Sequence, residues 1–200
     1  YFSDFELFHK ELNITNLLSI EGDKGSAPRF EFNRPYSCVK LKFDFTYEVL
    51  PSLSYEQKDI VWLDYDGGLQ PYILDDIDTI ISNVQMGSMF LFSMNVNTPK
   101  VTLCDDEKKD PLKRKVKEIS CLEEINRVLF DSLNIEKELD PRERKKSVFE
   151  EWNFSKKCRE IITQQIEKVV KNREDSERKG IKYRQLFNFH YADGAKMLTV

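Results

Sequence analysis

The sequence predicts an α/β protein built on a largely parallel sheet with helices on both faces. Two observations carry the prediction. The first is residues 60–69, IVWLDYDGGL, where a continuous apolar run ends in Asp64, Tyr65 and Asp66 and two glycines follow. Such a run reads as a strand buried on both faces and central in its sheet, with a carboxyl end that opens into a site. Ligands of open α/β sheets sit outside the carboxyl ends of the strands. The second observation is the order of elements: strand-like runs alternate with helical periodicity over short connections.

Composition sets the bounds. A chain of 200 residues is long enough for one α/β domain with a substantial core. Hydrophobic content of 40% and charged content of 33% fit a soluble globular protein with a highly charged region. No apolar run approaches the roughly 18 residues of a membrane span, and no signal-peptide pattern is present. Cys38, Cys104, Cys121 and Cys158 are scattered without a C-x-x-C pair, and there are only 2 histidines. No metal site is expected, and a reducing cytoplasm is the expected compartment. The chain opens on Tyr1 rather than Met and ends at Val200 within a strand-like run, so it is expected to be a piece of a longer protein.

The elements follow in order. Ser3-Asp4-Phe5-Glu6 reads as a capping box that opens a helix with Phe5, Leu7, Phe8 and Leu12 as its apolar residues. His9 lies in this helix and reads as a surface or packing residue. Asn13 can end the helix. Residues 14–20 form a strand that finishes at Glu21-Gly22-Asp23, where the acid is either turn chemistry or a ribose-binding position. Residues 24–36 read as a loop containing Pro28 and Pro35. Residues 39–45 give a strand with alternating Val39, Leu41 and Phe43, ending at Asp44-Phe45, and 46–53 a short helix or turn broken by Pro51.

The strand at 60–66 comes next, with Gly67, Gly68 and Pro71 in its exit loop. Leu74, Ile77, Ile80, Ile81 and Val84 recur at helical spacing and predict a helix over 74–84. Gly87 separates it from a strand over 88–96, which Asn97-Thr98-Pro99 stops.

The character then changes. Residues 100–179 hold 21 of the 31 Lys+Arg and 19 of the 35 Asp+Glu, a net charge of +2 against −6 for the remainder. Two helices are legible there. One spans 118–133, with Ile119, Leu122, Ile125, Leu129 and Leu133 on one face. The other spans 148–171, with Cys158, Ile162, Ile166 and Val169 as its stripe. Asp140-Pro141 reads as a helix start. The stretch is expected to be an inserted helical layer, with Ile119, Leu122, Ile125 and Leu129 against Ile162, Ile166 and Val169. Strand character returns at 183–191, followed by a tight turn at Ala192-Asp193-Gly194-Ala195 and a returning strand over 196–200. His190 reads as a solvent-facing or hydrogen-bonded strand residue.

This order resembles the class I S-adenosylmethionine-dependent methyltransferases, whose Rossmann-like sheet ends in an antiparallel hairpin. The wording YFSDFELFHKEL, LLSIEGD, IVWLDYDGGL, GSMFLFSMNVN and QLFNFHYADGAKMLTV is similar to a group of bacterial O-methyltransferase-like proteins. The resemblance implies a methyltransferase-like domain over 1–99 and 180–200 with a charged helical insertion at 100–179, and a cytoplasmic enzyme. It implies S-adenosylmethionine as cofactor. Glu21 would accept from the ribose hydroxyls, and Asp44 and Phe45 would flank the adenine. Asp64, Tyr65 and Asp66 would stand where the methyl acceptor meets the donor, with Asp64 reaching the cofactor as well. Asp64 is expected to position the acceptor and Asp66 to act as base. The family's first strand and glycine-rich loop precede its first helix, and this chain begins on that helix. LDYDG is neither the Asn/Asp-Pro-Pro-Tyr of amino-group methyltransferases nor a metal-binding catechol pattern, so the acceptor stays open.

Two other readings compete. Asp64-Tyr65-Asp66-Gly67 also fits the nucleophile motif of haloacid-dehalogenase-type phosphohydrolases, with Asp64 as nucleophile, Asp66 as acid–base and Mg²⁺ on the phosphate. Against it, position 68 is glycine, at least two strands precede the motif, and no later acidic pair supplies the metal. The third reading is a methyltransferase-like binding or assembly module without activity. The helices of 100–179 would then meet a protein partner, or nucleic acid phosphate through residues 142–146, RERKK; the mixed charges otherwise read as a solvated, ion-paired surface.

Overall fold

The computed structural model describes residues 2–97, 111–113, 153–177, 180–193 and 195–200. The chain divides into two compact units, Tyr1–Ser54 and Tyr55–Val200.

In the first unit, helix α1 spans Ser3–Leu12. The expected capping box is not formed. Phe2 holds the cap position and makes no side-chain cap bond, so Ser3 is the first helical residue. The helix stops where predicted, at Asn13, which adopts the left-handed conformation at φ 53°; asparagine tolerates this better than most residues. Strand β1 (Leu17–Ile20) pairs in parallel with β2 (Val39–Lys42), in register from Leu17 opposite Val39 to Ile20 opposite Lys42. The connection holds a 3-10 turn at Lys24–Ser26 and helix α2 at Ala27–Asn33, where the sequence predicted only a loop. Pro28 explains the difference. It lies in the first turn, where a missing N–H costs nothing and a fixed φ favours the helix. Phe2, Leu17 and Val39 form the buried cluster, with Phe5, Phe8, Phe30 and Leu41 packed against it. Helix α3 (Thr46–Val49) and a 3-10 turn at Leu50–Ser52 follow, as the Pro51 break suggested.

Among the described residues, the second unit holds a four-stranded sheet covered by long helices. Strands β3 (Ile60–Tyr65), β4 (Met89–Asn95), β5 (Phe189–Asp193) and β6 (Ala195–Thr199) lie in the order β3-β4-β6-β5. β3 and β4 are parallel, and β6 runs antiparallel to both β4 and β5. Helix α4 (Pro71–Asn83) buries Ile73, Leu74, Ile77 and Ile80. Gly87, at φ +89°, turns the chain toward β4 in a conformation that other residues avoid.

The expectation of a central strand at 60–66, buried on both faces, is overturned. β3 is an edge of this sheet among the described residues, and it alternates: Leu63 is buried, Val61 and Tyr65 are half-buried, and Ile60, Trp62 and Asp64 are exposed. A run of apolar side chains does not say which face is covered. Trp62 can sit on the open face because its indole N–H donates to Ser93 Oγ at 3.1 Å. Ser93 Oγ in turn lies 2.9 Å from Thr199 Oγ1 on β6, so polar side chains link three strands across that face.

Helix α5 (Asn153–Glu177) runs on past residue 171, where it was expected to end, and packs on α4; residues 148–152 lie outside the described residues. Its stripe is buried as expected at Cys158, Ile162, Ile166 and Val169, with Phe154 and Ile161 in addition. Arg173 Nη1 donates to the carbonyls of Ile81 (2.9 Å) and Val84 (2.7 Å), capping the C-terminal end of α4. The strand expected from residue 183 begins only at Phe189. Before it, the Tyr183 hydroxyl donates to Glu167 on α5 at 3.0 Å, a bond outside any sheet ladder. His190 Nε2 lies 3.3 Å from Ser155 Oγ, a hydrogen-bonded strand histidine. The predicted helix at 118–133, the start at Asp140-Pro141 and the basic cluster at 142–146 lie outside the described residues.

Candidate active site

The strand ends of the first unit carry three of the predicted residues. Parallel pairing brings the carboxyl ends of β1 and β2 side by side, and the Glu21 N–H donates to the Lys42 carbonyl at 2.9 Å. Glu21 is therefore held one residue beyond β1. Its Oε1 accepts from the buried Ser19 hydroxyl at 2.8 Å, which orients the carboxylate. Two residues beyond β2, Asp44 accepts from the Phe45 N–H at 3.0 Å and pairs with Lys24 at 3.2 Å. The Phe45 N–H, and then Lys24, hold the Asp44 carboxyl below its ordinary range.

Phe45 is 51% exposed and stacks on Tyr47, with ring centroids 5.4 Å apart and planes 8° from parallel. Gly22 lies against this ring: a Cβ built there would come within 3.4 Å of it. An acid, a residue without a side chain and an open aromatic platform thus occupy adjacent strand ends. The donor set fits a nucleoside, with a carboxylate for vicinal hydroxyls and a ring face for a base. Asp23 is occupied otherwise. It accepts from the Gly25 N–H at 2.9 Å and the Ser26 hydroxyl at 2.6 Å, and these bonds, led by Ser26, lower its pKa.

The other predicted residues lie at the carboxyl end of β3, in the second unit. Asp64 and Asp66 are exposed, and Tyr65 points the other way. The alternation expected of an extended strand separates them. The Tyr65 hydroxyl donates to Asp76 Oδ2 at 2.6 Å, and its ring meets Tyr72 edge-on and tilts against Phe92. The following turn is held by the Asn95 N–H, which donates to the Gly67 carbonyl at 3.1 Å. The cap of α4 is Gln70, whose side chain makes no capping bond.

Sequence reasoning missed two contributors. Ser19 was legible only as a strand residue, although a hydroxyl two positions before a terminal acid lies on the same side of the strand. Asp76 was passed over within an apolar stripe. Its signal was an acid three residues after Ile73 on the face that α4 buries. His9 behaves as a packing residue. Its Nδ1 donates to the Ile14 carbonyl at 2.9 Å, and its ring lies 4.4 Å from that of Tyr36.

Acids and an aromatic platform thus stand at the ends of adjacent parallel strands of an α/β protein. The chain belongs to the family described as "Putative O-methyltransferase", whose model matches residues 1–200. The assignment is that of a class I S-adenosylmethionine methyltransferase-like protein, and the family implies methyl transfer to an acceptor. No curated relative and no solved structure matches the chain. Among the described residues no helix is long and apolar enough to cross a membrane, and no His/Cys/Asp/Glu group is placed to hold a metal ion.

Proposed function

We propose that the chain carries out S-adenosylmethionine-dependent methyl transfer to an oxygen or nitrogen acceptor. The observation that carries this reading is the oriented Glu21 beside Gly22 and the Phe45 platform, in a chain matched along its length by a methyltransferase family. The cofactor supplies an activated methyl group on a sulfonium. Glu21 would accept from the ribose hydroxyls, and Asp44 and Phe45 would flank the adenine, with Phe45 offering a ring face. Asp64 would hold the acceptor. Since the methyl group is already activated, these residues contribute mainly proximity and orientation. A base is needed only when the acceptor arrives protonated, as a hydroxyl does, and Asp66 would take that proton to its carboxylate. Tyr65 packs rather than stacks on the acceptor, because its hydroxyl is engaged by Asp76. Residues 100–179, as an insertion in the domain formed by 1–99 and 180–200, would shape acceptor or partner access and carry no chemistry.

Calorimetric titration of S-adenosylmethionine into the full-length protein tests the reading. Glu21→Ala should weaken binding by about 1.5–3 kcal/mol, the scale of hydrogen bonds to a charged group. Unchanged affinity would reduce Glu21 to a turn residue. Mg²⁺-dependent phosphate release would instead favour a phosphohydrolase, and neither activity would favour a binding module.

A further inference from the structure

The buried acid on α4 has no part in the activity described above, yet it touches the strand end that would present Asp64 and Asp66. We propose that Asp76 is a positioning residue that pins the carboxyl end of β3 through Tyr65. The inference rests on the proposed activity only in taking Asp64 and Asp66 as the groups presented.

Asp76 is 1% exposed and shares its helix face with Ile73, Ile77 and Ile80. An aliphatic residue would suit that face without the desolvation that a buried carboxyl carries. Stability alone therefore does not account for an acid at this position. What the acid does is accept from the Tyr65 hydroxyl at 2.6 Å. Tyr65 is the last residue of β3, an edge of its sheet, and two glycines follow two residues later. A strand end of this kind is prone to local opening.

Besides the β3–β4 pairing, two contacts among the described residues oppose that opening. One is the Asn95 N–H bond to the Gly67 carbonyl at 3.1 Å. The other is the Tyr65 side chain, clamped between Tyr72 and Phe92 and fixed at its tip by Asp76. With Tyr65 fixed inward, strand alternation turns its neighbours Asp64 and Asp66 outward together. Asp76 acts on the presentation of both aspartates without contacting a ligand.

Amide hydrogen exchange on the full-length protein tests this. Asp76→Leu should preserve the fold while raising exchange of the protected amides in residues 63–68, and of Asn95, by about tenfold or more, as expected for losing one strong hydrogen bond. The Phe92 amide, which donates to the Val200 carbonyl at 3.0 Å, should exchange as in the wild type. Asp76→Asn, whose amide oxygen can still accept from the phenol, should restore protection. Unchanged exchange at 63–68 in Asp76→Leu would overturn the proposal, as would a rise spread equally over α4 and β4. Should Asp76→Leu fail to fold, Tyr65→Phe removes only the hydroxyl and should produce the same local opening; wild-type exchange there would overturn the proposal equally. The measurement needs no ligand, so it is independent of the cofactor titration.

Discussion

The two units hold their polar residues by opposite means. In the first, the acids after β1 and β2 sit near the surface and are oriented by local donors: Ser19 for Glu21, the Phe45 N–H and Lys24 for Asp44, Ser26 and Gly25 for Asp23. In the second, the organising acid is buried in a helix, and the strand end is set by packing around it. Local donors fix a carboxylate cheaply but depend on the turn that carries them. A buried partner depends on the core. The difference follows from core size. The first unit buries Phe2, Leu17, Val39, Val49 and Leu50, whereas the second buries Ile73, Ile77, Ile80, Phe92, Met94, Ile162 and Leu198 among others.

The largest expected effect breaks the second arrangement at its core. Phe92 is fully buried and touches the Tyr65 ring, so Phe92→Ala should cost about 3–5 kcal/mol in denaturant unfolding. Leu17→Ala should fall near about 2 kcal/mol, the low end for its class, because its half-buried neighbours can collapse toward the gap. Equal losses at the two positions would mean that the first unit is as tightly packed as the second.

A smaller effect probes the local donors. Ser19→Ala removes the hydroxyl that orients Glu21, and the Glu21 backbone bond to Lys42 remains. Affinity for S-adenosylmethionine should fall by about 1 kcal/mol, the ordinary value of one hydrogen bond. The unfolding midpoint should move little. A large stability loss with unchanged affinity would show that Ser19 serves the strand and not the acid.

The contrast between local and distant supports also separates what the sequence revealed from what it concealed. Helix α4 was legible because Leu74, Ile77 and Ile80 repeat at helical spacing, and Asn13 because its conformational tolerance is intrinsic to the residue. The positions of Glu21, Asp44 and Phe45 after β1 and β2 were legible because a strand end is visible as the place where an apolar run stops. Helix α2 was hidden because proline breaks a helix interior yet favours its first turn, and sequence alone does not say which applies at Pro28. The edge position of β3 was hidden because neighbours in a sheet come from distant sequence: β4 meets β6 more than 100 residues along the chain. Asp76 was hidden because its partner, though only 11 residues away, lies on another element.

Acidification should act in opposite directions through Asp44 and Asp23 on the one hand and Asp59 on the other. Asp44 and Asp23 have depressed pKa values, so their contribution is present above the ordinary carboxylate range and is lost as pH falls through their lowered values. Asp59, just before β3, is raised by burial, and its Oδ2 is buried with no hydrogen-bond partner among the described residues. The folded state binds that proton more tightly than the unfolded state. Asp59 therefore penalises stability above its raised pKa, and the penalty is relieved as pH falls through that value. Asp59→Asn should be slightly more stable than the wild type at pH 7, with the gain shrinking on acidification. A gain that stays constant with pH would rule out the charge as its cause.

The smallest effect concerns the cysteines, where nothing need unfold. Cys158 is buried on α5, and burial pushes its thiol up to about 12. Thiolate is the reactive form, so at pH 8 only about one part in ten thousand of such a thiol is available, and the helix also blocks access. Cys38, beside His9 in the first unit, is half-buried, and its Sγ lies 3.9 Å from His9 Nδ1. That nitrogen donates to the Ile14 carbonyl, so it does not act as a base toward the thiol. Access should therefore decide the order of modification. Iodoacetamide on the native protein, read by peptide mass spectrometry, should label Cys38 well before Cys158, and denaturant should abolish the difference. Phe92→Ala supplies the control that joins this to the core: by loosening the second unit it should speed labelling of Cys158 and leave Cys38 unchanged. If Cys158 in the wild type reacts as fast as Cys38, the packing of α5 on α4 is looser than its buried stripe implies, and the contrast between the two units fails at its most easily measured point.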